Sequence, residues 1–263
     1  MKIAISGKGG VGKTTLSALL AYAFSQEGQH VTVIDADPTP NLSAALGVPA
    51  SLRNRIVPIT EMADLIEERT GARPGSLGGF IRLNPEVSDI PDRFGLVHRG
   101  IRLLELGRVR GGGTGCMCPE NTLLKALVSH LLLSPDQVVI LDMEAGAEHL
   151  GRGTAQAVDA FLIVTEPSLR SLIVAQTITH LAREIGISRI FLVVNRVENE
   201  TDREFIALHA PEGVPVLGYL PADERVLLAD RRGQAVFDAA PELVARAHDM
   251  VRMLTSQRSV STL

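Results

Sequence analysis

The sequence predicts an α/β fold: a single domain over residues 1–263, built on a mostly parallel, twisted sheet of about seven or eight strands with helices on both faces. Three observations predict it. Short apolar runs recur along the chain and alternate with longer segments of helical spacing, as strands joined by crossover helices do. The runs have the composition of strands buried between two layers. The first of them passes through a glycine-rich turn straight into an Ala- and Leu-rich segment, a strand–loop–helix unit.

In order, strands are expected at Lys2–Ser6, Val31–Asp35, Ile101–Leu106, Val138–Met143, Ala160–Thr165, Ile190–Asn195 and Val216–Leu220. Helices fit at Leu16–Gln26, Glu120–Leu133, Leu169–Glu184 and Pro241–Thr255. Residues 48–100 carry frequent Gly and Pro and form an irregular excursion from the sheet, with one helical stretch at Thr60–Arg69. Residues 257–263 are expected to fray. In the last helix Leu243, Val244, Ala247, Val251 and Leu254 are spaced for packing on the domain, with no aromatic anchor for a lipid interface.

The length and a 45% hydrophobic content allow one sizeable core. A net charge of −4, 3% aromatics and no Trp argue against a basic field or a base-stacking platform, so nucleic acid is not an expected partner. The N-terminus opens on a strand rather than an apolar leader. No apolar run reaches the ~18 residues that span a bilayer, so membrane insertion is not expected. Two cysteines, Cys116 and Cys118, are too few for a secreted disulfide framework. The expected location is the cytoplasm.

The glycine-rich turn reads Gly7-Lys8-Gly9-Gly10-Val11-Gly12-Lys13-Thr14-Thr15 and matches G-x-x-x-x-G-K-S/T, a phosphate-binding loop. Glycines let the backbone approach a pyrophosphate, and the amides of the loop and helix start point at it. The nucleotide-binding residues are therefore Gly9, Gly10, Val11, Gly12, Lys13, Thr14 and Thr15. Lys13 would neutralise β/γ-phosphate charge and Thr14 would ligate Mg²⁺. This makes the domain a P-loop NTPase.

Two apolar strands end in acids where such folds keep their ligands, outside the carboxyl ends of the sheet. The first is Val31–Asp35, followed by Ala36-Asp37-Pro38. The second, Val138–Asp142, leads into Met143-Glu144-Ala145-Gly146 and has the form of a Walker B strand, with Asp142 on the magnesium side. The roles of Glu144, Glu148 and His149 stay open. At a third strand end Asn195 suits an adenine edge, and Asn195-Arg196 with Glu198 is a poor match for a guanine signature, so ATP is expected. Pro221 and Asp223, after the last strand, would line the other side of the base.

Cys116-Met117-Cys118-Pro119 follows a glycine run within a loop at 111–121. Closely spaced cysteines in such a chain are metal-binding or redox groups more often than structural ones. Pro119 starts a helix, and a helix start favours thiolates, which suit Zn²⁺, Ni²⁺ or Cu⁺. Two ligands do not close a four-coordinate site. A two-fold dimer would supply the missing pair. Inert thiols, an internal disulfide, or a site within one chain completed by His130 or His149 are the alternatives.

With Lys8, the phosphate loop resembles the deviant loop of the SIMIBI ATPases, which include the Min and Par ATPases and the nitrogenase iron protein. That resemblance implies a homodimer with Lys8 reaching across to the partner's nucleotide. Asp35-x-Asp37-x-x-x-Asn41-Leu42 is similar to the first switch of the Min/Par group, which implies that Asp37 positions the attacking water and Asp35 supports Mg²⁺. Asp142-x-x-Ala145-Gly146 is similar to the second switch, which implies a γ-phosphate sensor at Gly146. Taken with Gly115-Cys116-Met117-Cys118-Pro119-Glu120-Asn121, the motifs from Met1 to about Asp223 resemble the CooC-type carbon monoxide dehydrogenase maturation ATPases. The resemblance implies a metallochaperone that carries Ni²⁺ on Cys116 and Cys118, with Zn²⁺ able to occupy the same site. Its implied partner is the carbon monoxide dehydrogenase apo-protein. The alternative is a MinD/ParA-type positioning ATPase without a metal.

Overall fold

The computed structural model describes residues 1–75, 80–108, 118–134, 137–146, 150 and 152–260. Cys116, Glu148, His149 and most of the loop at 111–121 lie outside the described residues. In chain order the elements are β1 (Lys2–Gly7), α1 (Lys13–Gln26), β2 (Val31–Asp35), α2 (Leu42–Ala45), α3 (Ala50–Arg53), α4 (Ala63–Thr70), α5 (Ile90–Phe94), β3 (Leu96–His98), β4 (Ile101–Glu105) and α6 (Pro119–Leu133). They continue with β5 (Val138–Asp142), α7 (Arg152–Ala155), β6 (Ala160–Thr165), α8 (Leu169–Glu184), β7 (Ile190–Val197), α9 (Glu200–His209), β8 (Val216–Pro221), α10 (Glu224–Arg232), α11 (Val236–Ala239) and α12 (Pro241–Val260).

These strands form one eight-stranded sheet in the order β3-β4-β2-β5-β1-β6-β7-β8. Every pair is parallel except β3 with β4. All seven expected strands are present. The eighth, β3, has three residues with Val97 turned to solvent, too short and too mixed to stand out as an apolar run.

Successive residues of each strand point to opposite faces, and each face has its own core. Ile3, Ile5, Val33, Ile140 and Leu162 pack under α1 and α12, against Leu16, Leu20, Phe24, Leu243, Val251 and Leu254. Ala4, Ile34, Leu141, Phe161 and Ile163 pack under α4, α6 and α8, against Ile66, Leu127, Leu131, Leu172 and Ile178. Each of the larger buried aliphatics contributes ~1.5–3 kcal/mol by leaving water. The last helix is thus core-facing, as expected. It runs to Val260, and residues 261–263 lie outside the described residues.

Within the excursion, the stretch expected as one helix is broken. A 3₁₀ turn at Ile59–Glu61 is followed by α4, with Met62 between them at φ −84°, ψ 72°. Met62 leaves the helical region there, and the Thr60 N–H donates to the Leu106 carbonyl at 3.0 Å, which pins the turn to the end of β4. Among the described residues no helix is long and apolar enough to cross a membrane.

Candidate functional site

The phosphate loop leaves β1 at Gly7 and enters α1 at Gly12. Gly12 has φ 98°, and a Cβ there would fall on the Asn195 side-chain amide, so the position requires glycine. Gly7, at φ 153°, lies so close to the Val164 carbonyl that a Cβ has no room. Val11 is buried, and its carbonyl accepts from Asn195 Nδ2 at 2.8 Å. Gly9 and Gly10 are exposed, with open space where a Cβ would sit. The helix that follows has no side-chain cap and no acid in its first turn, so its start is bare of negative charge. Its unbonded N–H groups and the helix dipole suit an anion. Lys13, though buried, sends Nζ to the Lys8 carbonyl at 3.4 Å. Lys8, Thr14 and Thr15 are half-buried.

Beside this loop the sheet brings three carboxylates into line. Asp35 of β2 is in register with Asp142 of β5 on one side and with Glu105 of β4 on the other. Asp35 is 1% exposed, and its oxygens accept N–H bonds from Asp37 at 3.1 Å and from Asn41 and Leu42 at 2.9 Å each. Burial outweighs these bonds and pushes its pKa to about 6. Asp142, also 1% exposed, is pushed to about 7 by burial first and by Asp35 second. The Thr14 and Ser17 hydroxyls and the Lys13 ammonium draw it back down. Those hydroxyls do not reach hydrogen-bond geometry: neither Asp142 oxygen has a partner among the described residues. Ser17 donates instead to the Lys13 carbonyl at 3.0 Å.

A buried carboxylate without a partner, flanked by a lysine, a threonine hydroxyl and a bare helix start, is costly to the protein alone. The same group is well suited to a hydrated Mg²⁺ that accompanies a phosphate chain. The residues thus fit the cation, and Thr14 and Asp142 are the ones that could hold it. Asp35, expected to support Mg²⁺, lies in register beside Asp142. Its oxygens are engaged by the backbone of residues 37–42, so it shapes that loop and thereby places Asp37. Asp37 is half-buried, and its Oδ1 accepts from the Thr39 N–H at 2.9 Å.

At the β7 and β8 ends the structure brings Asn195, Arg196, Pro221 and Asp223 together, since Val197 pairs with Pro221 and the Ala222 N–H donates to the Val197 carbonyl. Asn195, expected at an adenine edge, lies against the phosphate loop. Its Nδ2 holds Val11 and its Oδ1 accepts the Arg196 N–H at 2.9 Å, so it braces the phosphate loop. Arg196 has φ 58° and pairs with Glu166 at 2.9 Å. Asp223 caps α10 and is gripped by Arg225, which holds its carboxyl below the usual range.

Cys118 is half-buried at the N-cap of α6, and its carbonyl accepts from the Thr122 N–H at 3.0 Å. Pro119 occupies the first helical position, as expected. His130 lies twelve residues along the same helix, about 18 Å away at 1.5 Å per residue. A one-chain metal site of Cys118 with His130 is therefore ruled out. Among the described residues no three His, Cys, Asp or Glu side chains are grouped to hold a metal ion.

Three contributors escaped the sequence reading. Ser6 is fully buried, and its Oγ contacts the loop after β5. Glu105 lies beside Asp35, its pKa raised by burial and lowered by the Ser43 hydroxyl. Glu166 partners Arg196. None belongs to a motif, and only the strand register reveals Glu105.

Comparison with known proteins accords with this geometry. Residues 2–236 match the CobQ/CobB/MinD/ParA nucleotide binding domain. The chain is 45% identical to the carbon monoxide dehydrogenase accessory protein CooC of Rhodospirillum rubrum, over 97% of this chain and 96% of that one. It is also 45% identical to an ATP-binding protein of Methanocaldococcus jannaschii, over 90% and 91% of the two chains. Among solved structures, MinD in the MinC:MinD cell division complex of Aquifex aeolicus aligns with TM-score 0.69 at 21% identity, covering 97% of this chain and 95% of that one. MinD of Pyrococcus horikoshii, complexed with Mg-ADP, aligns with TM-score 0.62 at 19% identity, covering 99% and 98%. At those identities the structural likeness concerns the fold alone. With a phosphate loop, paired strand-end carboxylates and this sheet order in place, the chain belongs to the CobQ/CobB/MinD/ParA family of nucleotide-binding proteins and, within it, to the CooC-type group.

Proposed function

We propose that the protein is an ATP-hydrolysing metallochaperone. It works as a homodimer, takes up nickel on Cys116 and Cys118 of both subunits, and delivers it to the active-site cluster of carbon monoxide dehydrogenase in the cytoplasm. The observation that carries this reading is the near full-length similarity to a carbon monoxide dehydrogenase accessory protein, in a chain whose Cys-x-Cys pair leads into the first turn of α6.

In the nucleotide half of the cycle, the loop amides and the bare start of α1 bind the phosphates of ATP. Thr14 and Asp142 hold Mg²⁺, which screens phosphate charge. Lys13 leaves the Lys8 carbonyl for the β/γ-phosphates, and Lys8 serves the partner's nucleotide. Asp37, placed by Asp35, orients the attacking water. Positioning and charge neutralisation of this kind supply most of the rate in phosphoryl transfer. In the metal half, thiolates at Cys116 and Cys118 bind the cargo, and rearrangement of the dimer on hydrolysis releases it.

Anaerobic native mass spectrometry with added nickel tests the proposal. One nickel ion per dimer is expected, lost in a Cys116→Ser/Cys118→Ser variant that still hydrolyses ATP. Zinc alone at the site would change the cargo. No metal retained by the wild type would leave the MinD/ParA-type positioning ATPase as the reading. Loss of ATP turnover along with the metal would deny a separable metal site.

A further inference from the structure

The loop that follows Asp142 is held by a side chain from the root of the phosphate loop. Ser6 is the next-to-last residue of β1 and is fully buried. Its Oγ accepts the Gly146 N–H at 3.0 Å and lies 2.8 Å from both the Glu144 and the Gly146 carbonyls. The hydroxyl has one proton, so it serves one of those carbonyls at a time or divides between them. Met143 is fixed separately, its N–H donating to the Ile5 carbonyl at 3.0 Å. Beyond Met143, the hydrogen bonds described for the segment 144–146 are those made by Ser6. Gly146 sits at φ 147°, a conformation that leaves its backbone free of side-chain hindrance.

We propose that Ser6 is a positioning residue of the nucleotide cycle: its hydroxyl latches the loop 143–146 to the root of the phosphate loop and occupies the Gly146 N–H. A buried serine needs some partner, but this one spends all its described contacts on a single loop, 140 positions away in sequence. That loop begins one residue after the buried Asp142 carboxylate. A phosphate oxygen that takes the Gly146 N–H must displace Ser6 Oγ from it. The hydroxyl retains the Glu144 carbonyl as an acceptor when that happens. The segment therefore has two hydrogen-bonded arrangements rather than one ordered and one loose state, which is the requirement for a switch. The inference rests on the nucleotide reading above for what the loop senses, and on the Ser6 contacts alone for the latch.

The test uses the full-length protein, its Ser6→Ala variant and, as rescue, Ser6→Thr. Backbone hydrogen exchange is followed at residues 143–146 without nucleotide and with a non-hydrolysable ATP analogue, and ATP turnover is measured in parallel. In the nucleotide-free Ser6→Ala protein, exchange at Gly146 is expected to quicken by about tenfold or more while α1 and β5 keep their protection. Turnover should fall about tenfold in kcat with KM for ATP within threefold, a split that a general loss of packing does not give. Ser6→Thr restores both. Unchanged exchange at Gly146 in Ser6→Ala, or an unchanged kcat, overturns the proposal. If the wild type neither binds nor hydrolyses ATP, the nucleotide reading fails, while the nucleotide-free exchange still decides the latch.

Discussion

Asp142→Asn should stabilise the nucleotide-free protein, and more so as the pH rises. The wild-type carboxyl is 1% exposed with no hydrogen-bond partner among the described residues, and its pKa moves from 3.8 to about 7. The native state thus holds a proton that the unfolded chain releases near pH 4. Stability attributable to this side chain is greatest below pH 4, falls as the pH climbs through 4 to 7, and is fully lost above 7. At ~1.4 kcal/mol per pH unit the ionised side chain costs about 4 kcal/mol by pH 8, of which roughly a third has accrued by pH 5. Asparagine has the same shape and never ionises, so its advantage should widen by about 2–3 kcal/mol between pH 5 and pH 8. Urea unfolding of both proteins in chelator, at pH 5, 6, 7 and 8, measures the difference directly. The same variant should lose the thermal stabilisation that Mg²⁺ and ATP give the wild type. An advantage that stays constant from pH 5 to 8, or a variant uniformly weaker than the wild type, would refute the claim that Asp142 is a desolvated carboxylate awaiting a cation.

Other substitutions probe the site piece by piece. Gly12→Ala forces a Cβ at φ 98° onto the Asn195 amide, so it should cost about 2 kcal/mol or more and weaken ATP binding over tenfold by calorimetry. Asp35→Ala leaves the N–H groups of Asp37, Asn41 and Leu42 without their acceptor, and exchange across 37–42 should accelerate while ATP turnover drops about tenfold. Ser168→Ala removes the cap of α8, which accepts the Ser171 N–H at 3.3 Å; a loss of about 1 kcal/mol should lower the melting temperature by roughly 2–4 °C with turnover unchanged.

The fold was legible because burial on two faces leaves a local mark. Every residue of β1, β5 and β6 is buried, and such a run is apolar wherever the chain places it. Where a tertiary bond decides the local structure, the mark disappears. The helix pattern at Thr60–Arg69 is intact in the sequence, yet the chain leaves the helical region at Met62, and the turn before it is tied to Leu106 by the Thr60 N–H. β3 owes its existence to the neighbouring β4 rather than to its three residues.

The site divides along the same line. Gly12, Lys13 and Thr14 are legible because a phosphate loop needs fixed residue types at fixed spacing. Asp35 and Asp142 are legible as acids at strand ends, but their division of labour is not. It depends on which carboxylate the following loop folds onto: residues 37–42 turn back over Asp35 and satisfy it, whereas Asp142 is left bare beside Lys13. Asn195 shows the same dependence, since a strand-end amide suits a base edge equally well until Val11 is found within 2.8 Å of it. Ser6 is the extreme case. A serine ahead of a glycine has no distinguishing chemistry, and its partners at 144 and 146 are backbone atoms, which any sequence supplies. Its pattern is visible only when the parallel register of β1 and β5 sets Ile5 beside Asp142 and brings the two chain exits together. The groups that bind ligand are therefore written in residue type, and the groups that time the binding are written in register.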